Sequence, residues 1–90
     1  MTGQRTARIQ ALLEAALLPE RLEVIDESHL HVGHAGARDG RGHFRIRIEC
    51  SRFSGKPRLA RHRMVYAALG DMMETDIHAL AIEDSSEENS

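Results

Sequence analysis

Histidines are the residues of this chain whose type and spacing are best suited to chemistry. His29, His31 and His34 fall within six residues, and His43 follows them. An imidazole nitrogen ligates metals and titrates near neutral pH, so this grouping indicates metal binding or pH sensing. The spacing matches neither an HExxH motif nor a Cys/His zinc module, and it does not choose among the first three histidines.

Motifs typical of enzymes are missing from the sequence. Cys50 falls on the apolar face of a predicted strand, where a thiol behaves as a small hydrophobe rather than as a nucleophile. The chain has no Gly-x-Ser-x-Gly elbow, and Gly36, Gly40 and Gly42 lack the Gly-Lys-Ser/Thr ending of a phosphate-binding loop. We therefore expect a protein that is not an enzyme.

A basic segment is the second feature that favours a binding function. The net charge of the chain is −2, but residues 38–63 hold nine of its 12 Lys and Arg residues and only two acidic ones. Such a segment favours an anionic partner, either a nucleic acid or an acidic protein surface, whereas the simplest alternative is a solvated face. The cations that we expect to contact a partner or phosphates are Arg45, Arg47, Lys56, Arg58, Arg61 and Arg63.

Length and composition limit the fold and its location. A chain of 90 residues with 41% hydrophobic and 3% aromatic residues predicts one domain with a largely aliphatic core. One cysteine excludes a disulfide framework and any iron–sulfur site held by cysteines of this chain alone. No apolar run is long enough to span a membrane and the first residues do not resemble a signal peptide, so we expect a cytoplasmic protein with no membrane partner.

The elements that must position these residues follow the order α-β-β-α-β. An apolar stripe predicts an amphipathic helix over residues 2–17, formed by Ile9, Leu12, Leu13, Ala16 and Leu17. It is followed by a short strand at 22–25, an irregular loop at 26–42, an alternating strand at 43–51, a second helix from Pro57 to about Met73 and a strand at 77–82. The inward stripe of the second helix is expected at Val65, Ala68, Leu69 and Met72, with Leu59 and His62 on nearly the same side.

This order predicts an α/β (α+β) fold with a three-stranded mixed sheet. The first two strands would form a hairpin, the second helix would cross over to the third strand, and both helices would pack on one face of the sheet. The alternating strand would turn Arg45 and Arg47 toward solvent. We expect residues 1–83 to form the domain and residues 84–90 to form a disordered acidic tail, and the carboxylates that follow Ile82 would screen the basic segment.

Several motifs, taken in order, resemble the BolA family. They are Asp26-Glu27-Ser28-His29, Gly33-His34-Ala35-Gly36, His43-Phe44-Arg45, Arg52-Phe53-Ser54-Gly55, Arg61-His62-Arg63-Met64-Val65-Tyr66 and Ile77-His78-Ala79-Leu80. The resemblance extends over residues 8–83, and the Phe-x-Gly turn, the Arg-His-Arg-x-Val-Tyr helix and the Ile-His-Ala-Leu strand are specific in combination. The resemblance implies a class II KH-like fold.

The resemblance also implies a role in iron–sulfur biology. BolA-like proteins bind monothiol glutaredoxins and share a bridging [2Fe-2S] cluster with them, in cluster trafficking or iron homeostasis. Carried over to this chain, the ligands are His34 and His78, with His29 and His31 as alternatives to His34. The remaining ligands would be a glutaredoxin cysteine and glutathione, so no cluster is expected in the isolated protein, which would be a monomer. His62 is expected to orient the second helix rather than to ligate.

DNA binding is the alternative function that the resemblance implies, because some bacterial members are transcriptional regulators of stress responses and cell morphology. The turn Gly55-Lys56-Pro57-Arg58 stands where KH domains carry a Gly-x-x-Gly turn that clamps a nucleic-acid backbone, but its second glycine is missing. Only Phe44, Phe53 and Tyr66 could stack on bases. The sequence therefore favours phosphate contacts over base readout.

Overall fold

The computed structural model describes residues 2–28 and 42–85, which form three helices and one three-stranded sheet. The elements in chain order are α1 (Thr2–Leu17), β1 (Arg21–Asp26), β2 (Gly42–Glu49), α2 (Arg58–Leu69), α3 (Met72–Thr75) and β3 (Ile77–Ser85), with a 3-10 turn at Ser51–Phe53. This confirms the predicted order and adds α3. None of the helices in this part of the chain is long and apolar enough to cross a membrane.

The sheet is mixed, with β2 between the two other strands. Strand β1 runs antiparallel to β2, so that Val24 lies opposite Ile46, and β3 runs parallel to β2. The parallel pairing requires a crossover, and α2 and α3 supply it between β2 and β3. The predicted hairpin, crossover and three-stranded mixed sheet are therefore confirmed.

The core lies between the helices and one face of the sheet. Phe44, Ile46 and Ile48 alternate along β2 and are each at most 2% exposed. The helices cover them with buried side chains of the same cluster, which are Ile9, Leu13, Leu17, Val65, Leu69 and Met72. Fully burying a side chain of this size contributes roughly 1.5–3 kcal/mol, so these contacts dominate the packing. The other side of the sheet, called here the open face, carries Glu23, Arg45, Arg47 and Glu83.

The buried stripes of both long helices are narrower than the sequence pattern indicated. Leu12 and Ala16 are exposed at the margin of the α1 stripe. Leu59 is 61% exposed, so its predicted place on the inward side of α2 is wrong. At 100° per residue, Leu59 is turned about 120° away from Val65 around the helix axis, which places it outside the face that covers the sheet.

Gly70 ends the second helix earlier than predicted. Its φ of +56° lies in the region that residues with a Cβ rarely adopt, and its N–H donates to the carbonyl of Tyr66 at 3.0 Å. Glycine adopts this backbone conformation at little cost because it has no Cβ. The chain then starts the separate short helix α3, so the single helix expected to reach Met73 is divided in two.

Strand β3 continues to Ser85, past the boundary predicted at residue 83. The carbonyl of Ser85 accepts a hydrogen bond of 3.0 Å from the N–H of Cys50, and Asp84 lies opposite Ile48. Asp84 and Ser85 are thus part of the sheet. The remainder of the predicted tail, residues 86–90, lies outside the described residues.

Candidate functional site

A bulge in the pairing of β2 with β3 determines where His78 points. Gly42 lies opposite Ile77 and His43 lies opposite Ala79, so β3 advances two residues while β2 advances one. His78 is the extra residue, and bulges commonly redirect a side chain in this way. Ile77 is buried in the core, whereas His78 is exposed.

His78 faces a second histidine across this bulge. The ring centroids of His43 and His78 are 5.1 Å apart and their planes are inclined by 48°. His43 is 9% exposed, so one imidazole of the pair is buried and the other is accessible. The described structure therefore brings together two metal-competent side chains, one of which is the predicted ligand His78.

Both the N–H and the carbonyl of the His43 backbone form hydrogen bonds with the residues that follow β1. Its N–H donates to Oγ of Ser28 at 3.0 Å, and its carbonyl accepts from the N–H of Glu27 at 2.8 Å. Ser28 is itself fixed, because its N–H donates to Oδ1 of Asp26 at 2.8 Å. Both ends of the connection at 29–41 consequently meet beside the histidine pair.

Gly42 makes this junction possible through its lack of a side chain. A Cβ at this position would lie 2.6 Å from the ring of Phe44 and 2.9 Å from Oγ of Ser28. The sequence places Gly42 in the irregular loop at 26–42, and His43 follows the loop histidines without being one of the predicted ligands. The signal for the bulge is the core spacing on β3, where Leu80 follows Ile77 by three residues rather than the usual two.

The predicted loop ligands His29, His31 and His34 lie outside the described residues. Among residues 2–28 and 42–85, no group of three or more His, Cys, Asp or Glu side chains is placed to hold a metal ion. Cys50, the only cysteine, is fully buried, and its Sγ donates to the carbonyl of Leu17 at 3.2 Å. The metal-competent side chains described beside the bulge are thus the two imidazoles of His43 and His78.

Two of the six predicted contact cations, Arg45 and Arg47, are engaged by carboxylates on the open face. Arg45 donates to Glu27 at 2.8 Å and to Glu83 at 2.7 Å. Arg47 donates to Glu83 at 3.0 Å and to Glu23 at 3.3 Å. The hydrogen bonds from Arg45 and then from Arg47 lower the pKa of Glu83, which keeps this bridging residue ionised. The open face therefore carries alternating charges rather than a strip of free cations.

A third predicted cation, Arg61, is paired beneath α2. Asp84 is only 8% exposed, and its carboxylate lies 3.0 Å from Nη1 of Arg61 and 3.1 Å from Nε2 of His62. The contact with His62 is within ion-pair distance when that ring is protonated, although the atoms do not have hydrogen-bond geometry. His62 thus joins α2 to β3, as expected of a residue that orients the helix. The expected screening of the basic segment occurs through Glu83 and Asp84.

The other three predicted cations, Lys56, Arg58 and Arg63, lie at the start of α2 and are exposed. No carboxylate within the part of the chain that the structure describes forms an ion pair with them. The N-cap of α2 is Pro57, and no acidic residue occupies the first turn. Because a helix N-terminus carries partial positive charge, Lys56 and Arg58 add to a cationic accessible surface at this end of α2, and Arg63 lies five residues further along the helix than Arg58.

An open groove of about 490 Å³ lies at the opposite end of the sheet from the histidine pair. Arg21, Glu49 and Ser85 line it, together with the ion-paired Arg47 and Glu83. Three residue pairs of the β2–β3 ladder separate Glu83 from Ala79, the partner of His43. His78 therefore lies on an exposed surface and not in this groove.

The fold and site define a small α+β domain with an antiparallel hairpin, a helical crossover and an exposed histidine at a β-bulge. Comparison with known proteins identifies its family: the chain belongs to the BolA family, since the family model "BolA-like protein" matches residues 13–89. This confirms the resemblance found in the sequence.

Three relatives illustrate the range of the family. The chain is 43% identical over 75 residues to the "DNA-binding transcriptional regulator BolA" of Escherichia coli, covering 83% of this chain and 69% of that protein. It is 44% identical over 85 residues to "SufE-like protein 1, chloroplastic/mitochondrial" of Arabidopsis thaliana, covering 89% of this chain but only 23% of that longer protein. A solved structure, "BolA domain of SufE1 from Arabidopsis thaliana", superposes with a TM-score of 0.84 at 38% identity, covering 96% of this chain and 95% of that chain.

Proposed function

We propose that this protein is a non-enzymatic cytoplasmic adaptor that binds a monothiol glutaredoxin and shares a bridging [2Fe-2S] cluster with it. Its role would be iron–sulfur cluster trafficking or iron homeostasis. The observation that carries the proposal is the exposed imidazole of His78, which lies beside His43 and beside both ends of the histidine-bearing connection.

The chemistry of the donors supports a shared cluster. Neutral imidazoles replace thiolates on one iron of some [2Fe-2S] centres and raise their reduction potential. In this chain His78 would be one ligand, and His34 would be the other, with His29 and His31 as alternatives. Residues 29–34 are at most six positions from Ser28, and an extended chain spans about 3.3–3.6 Å per residue, so each of the three histidines is within reach of the pair.

We expect the partner to complete the coordination, because Cys50 is the only cysteine of this chain. Cys50 is buried on the helix side of the sheet and is not accessible to a metal. The partner would therefore supply thiolates from its active-site cysteine and from bound glutathione. The isolated protein would bind no cluster and would be a monomer.

The test is to mix the protein with a cluster-loaded monothiol glutaredoxin and to record visible circular dichroism. The wild type should reshape the cluster bands, and His78→Ala should abolish that change while keeping the fold. Comparison of His29→Ala, His31→Ala and His34→Ala should identify one loop ligand, with His34 expected. His62→Ala is the matched control, because it removes an imidazole that contacts Asp84 and should leave the bands as in the wild type. Normal bands with His78→Ala would refute the ligand assignment.

DNA binding is the second candidate function, and it rests on a separate observation. Lys56, Arg58 and Arg63 are exposed without an ion pair among the described residues, and the E. coli relative is named a DNA-binding transcriptional regulator. Arg45, Arg47 and Arg61 already contact carboxylates. We therefore expect α2 to supply the phosphate contacts, with little contribution from the open face.

The salt dependence of DNA affinity distinguishes these two sets of cations. Three phosphate contacts predict a slope of about −2.7 in log K against log salt, whereas six predict about −5.4. Replacing Lys56, Arg58 and Arg63 by glutamine should remove most of the affinity, whereas replacing Arg45 and Arg47 should change it little. Affinity that does not fall with salt would exclude phosphate-mediated binding.

A further inference from the structure

We infer that His43 is a positioning residue for His78: its buried ring holds the exposed imidazole in the orientation in which a nitrogen can ligate. The inference rests on the proposed function, because it assigns His78 the role of ligand. It concerns a residue that neither the motifs nor the charge pattern assigned to the site.

The geometry of the two rings supports this role. A centroid distance of 5.1 Å with planes inclined by 48° is within the range in which aromatic rings pack against one another. His43 is 9% exposed, whereas His78 is exposed. The accessible ring of His78 therefore packs against the buried ring of His43.

The buried ring is itself fixed in place. The backbone of His43 donates to Ser28 and accepts from Glu27, at 3.0 and 2.8 Å. Its neighbours in sequence add to the constraint, since Gly42 donates to the carbonyl of Asp76 at 2.9 Å and Phe44 is in the core. His43 is therefore tied to β1, to the start of β3 and to the core at once.

His78 requires such a support because of where it lies. It is the extra residue of a bulge on β3, an edge strand of the sheet. Ordering an exposed side chain costs conformational entropy, and a ligand that must first be ordered binds more weakly. Removing a group that contacts a metal ligand and fixes its orientation typically weakens metal affinity 10- to 100-fold.

The experiment compares three substitutions of His43. His43→Phe keeps a ring against His78 without its nitrogens, His43→Gln keeps a polar group without the ring, and His43→Ala removes both. The first measurement is the ¹³C relaxation of the His78 ring in the isolated, histidine-labelled protein, which requires no cluster. The second is the rate at which bipyridyl removes iron from the complex with glutaredoxin. His62→Ala serves as the control for both.

If ring packing holds His78 in place, the three variants should differ in the mobility of the His78 ring and in the rate of cluster loss. In His43→Phe the His78 ring should stay ordered and cluster loss should remain within about twofold of the wild type. In His43→Gln and His43→Ala the ring should become mobile and cluster loss should accelerate about tenfold or more. Equal behaviour of His43→Phe and His43→Gln would overturn the inference, as would an ordered His78 ring in His43→Ala.

The two measurements keep this inference separate from the function on which it rests. If His78→Ala reshapes the cluster bands as the wild type does, the ligand assignment fails, yet the relaxation of the His78 ring still shows whether His43 orders it. If His78→Ala no longer reshapes the bands while all three His43 variants retain an ordered ring and a stable cluster, the ligand stands and the positioning role is refuted.

Discussion

Oδ2 of Asp84 lies 3.1 Å from Nε2 of His62, and this contact joins the end of β3 to the beginning of α2. The same carboxylate lies 3.0 Å from Arg61, so two consecutive residues of α2 face one acidic side chain. Asp84 stands on the side of β3 that faces the helices, opposite Ile48. A residue of the acidic C-terminal segment is thereby part of the packed domain.

Neutralising Asp84 should destabilise the protein. Asp84→Asn removes the counter-charge of Arg61 and alters the contact with His62 at a position that is 8% exposed, and we expect the free energy of unfolding to fall by about 2 kcal/mol. Urea denaturation at neutral pH measures this change. The control is Glu23→Gln, which removes an exposed partner of Arg47 and should cost less than about 1 kcal/mol. Similar losses for both variants would show that burial of the pair has no energetic consequence.

Asp76 should make stability depend on acid pH. A hydrogen bond from Thr75 is the largest cause that lowers the pKa of Asp76, and Arg5 and Arg8 lower it further. Because the folded pKa lies below that of the unfolded chain, about 3.9, the contribution is complete above that value. It is lost as the pH falls through the folded pKa. We expect the stability difference between the wild type and Asp76→Asn to be largest at neutral pH and to shrink below about pH 4.

The contribution of the Thr75 hydrogen bond to the lowered pKa of Asp76 can be tested directly. Thr75→Val removes the hydroxyl that donates to Asp76 and should raise the pKa of that carboxylate toward its ordinary value. Carbon-13 titration of the Asp76 carboxyl group, monitored by NMR, measures the shift. An unchanged titration in Thr75→Val would assign the effect to the arginines instead.

Gly42→Ala should destabilise the junction beside His43. The added methyl would meet the ring of Phe44 at 2.6 Å, and because Phe44 is buried, we expect a cost of about 1–3 kcal/mol. Thermal or urea unfolding measures it. In a double-mutant cycle, Phe44→Leu should be less harmful in the Gly42→Ala background than in the wild type, since it relieves the clash. Additive losses would mean that the two side chains do not meet.

Cys50 should be unreactive in the folded protein. Its Sγ is fully buried and donates to the carbonyl of Leu17, which closes the C-terminal end of α1. A thiol in this environment reacts only when the structure opens, so labelling by a soluble disulfide reagent should follow the unfolding equilibrium. Adding urea should accelerate labelling in parallel with the loss of circular dichroism. Rapid labelling in buffer would contradict the buried position.

The sequence predicts most of the architecture because local periodicity indicates both the type of each element and its buried face. The two-residue alternation of Phe44, Ile46 and Ile48 and the helical spacing of Ile9, Leu13 and Leu17 define which faces are buried. The helical periodicity overestimates the number of buried residues at the helix margins, as the exposed Leu59 shows. Periodicity alone does not indicate how wide a helix face the sheet covers.

Features that depend on contacts between distant residues were not predictable in the same way. The hydrogen bonds of Glu83 with Arg45 and Arg47 join β3 to β2, across more than 35 residues, and no local pattern indicates that pairing. The end of α2 at Gly70 depends on a positive φ that composition does not specify. The contact between His43 and His78 is not predicted from the sequence, because the two residues are remote in the chain and the bulge depends on the pairing of β2 with β3.

The parallel pairing of β2 with β3 also has a kinetic consequence. The β1–β2 hairpin joins residues as close as Asp26 and Phe44, whereas the β2–β3 ladder begins at Gly42 and Ile77, which are 35 positions apart. Contacts of greater sequence separation close larger loops and form later. We therefore expect β3 to be the last strand to dock during folding, so that the His43–His78 contact exists only in the fully assembled domain.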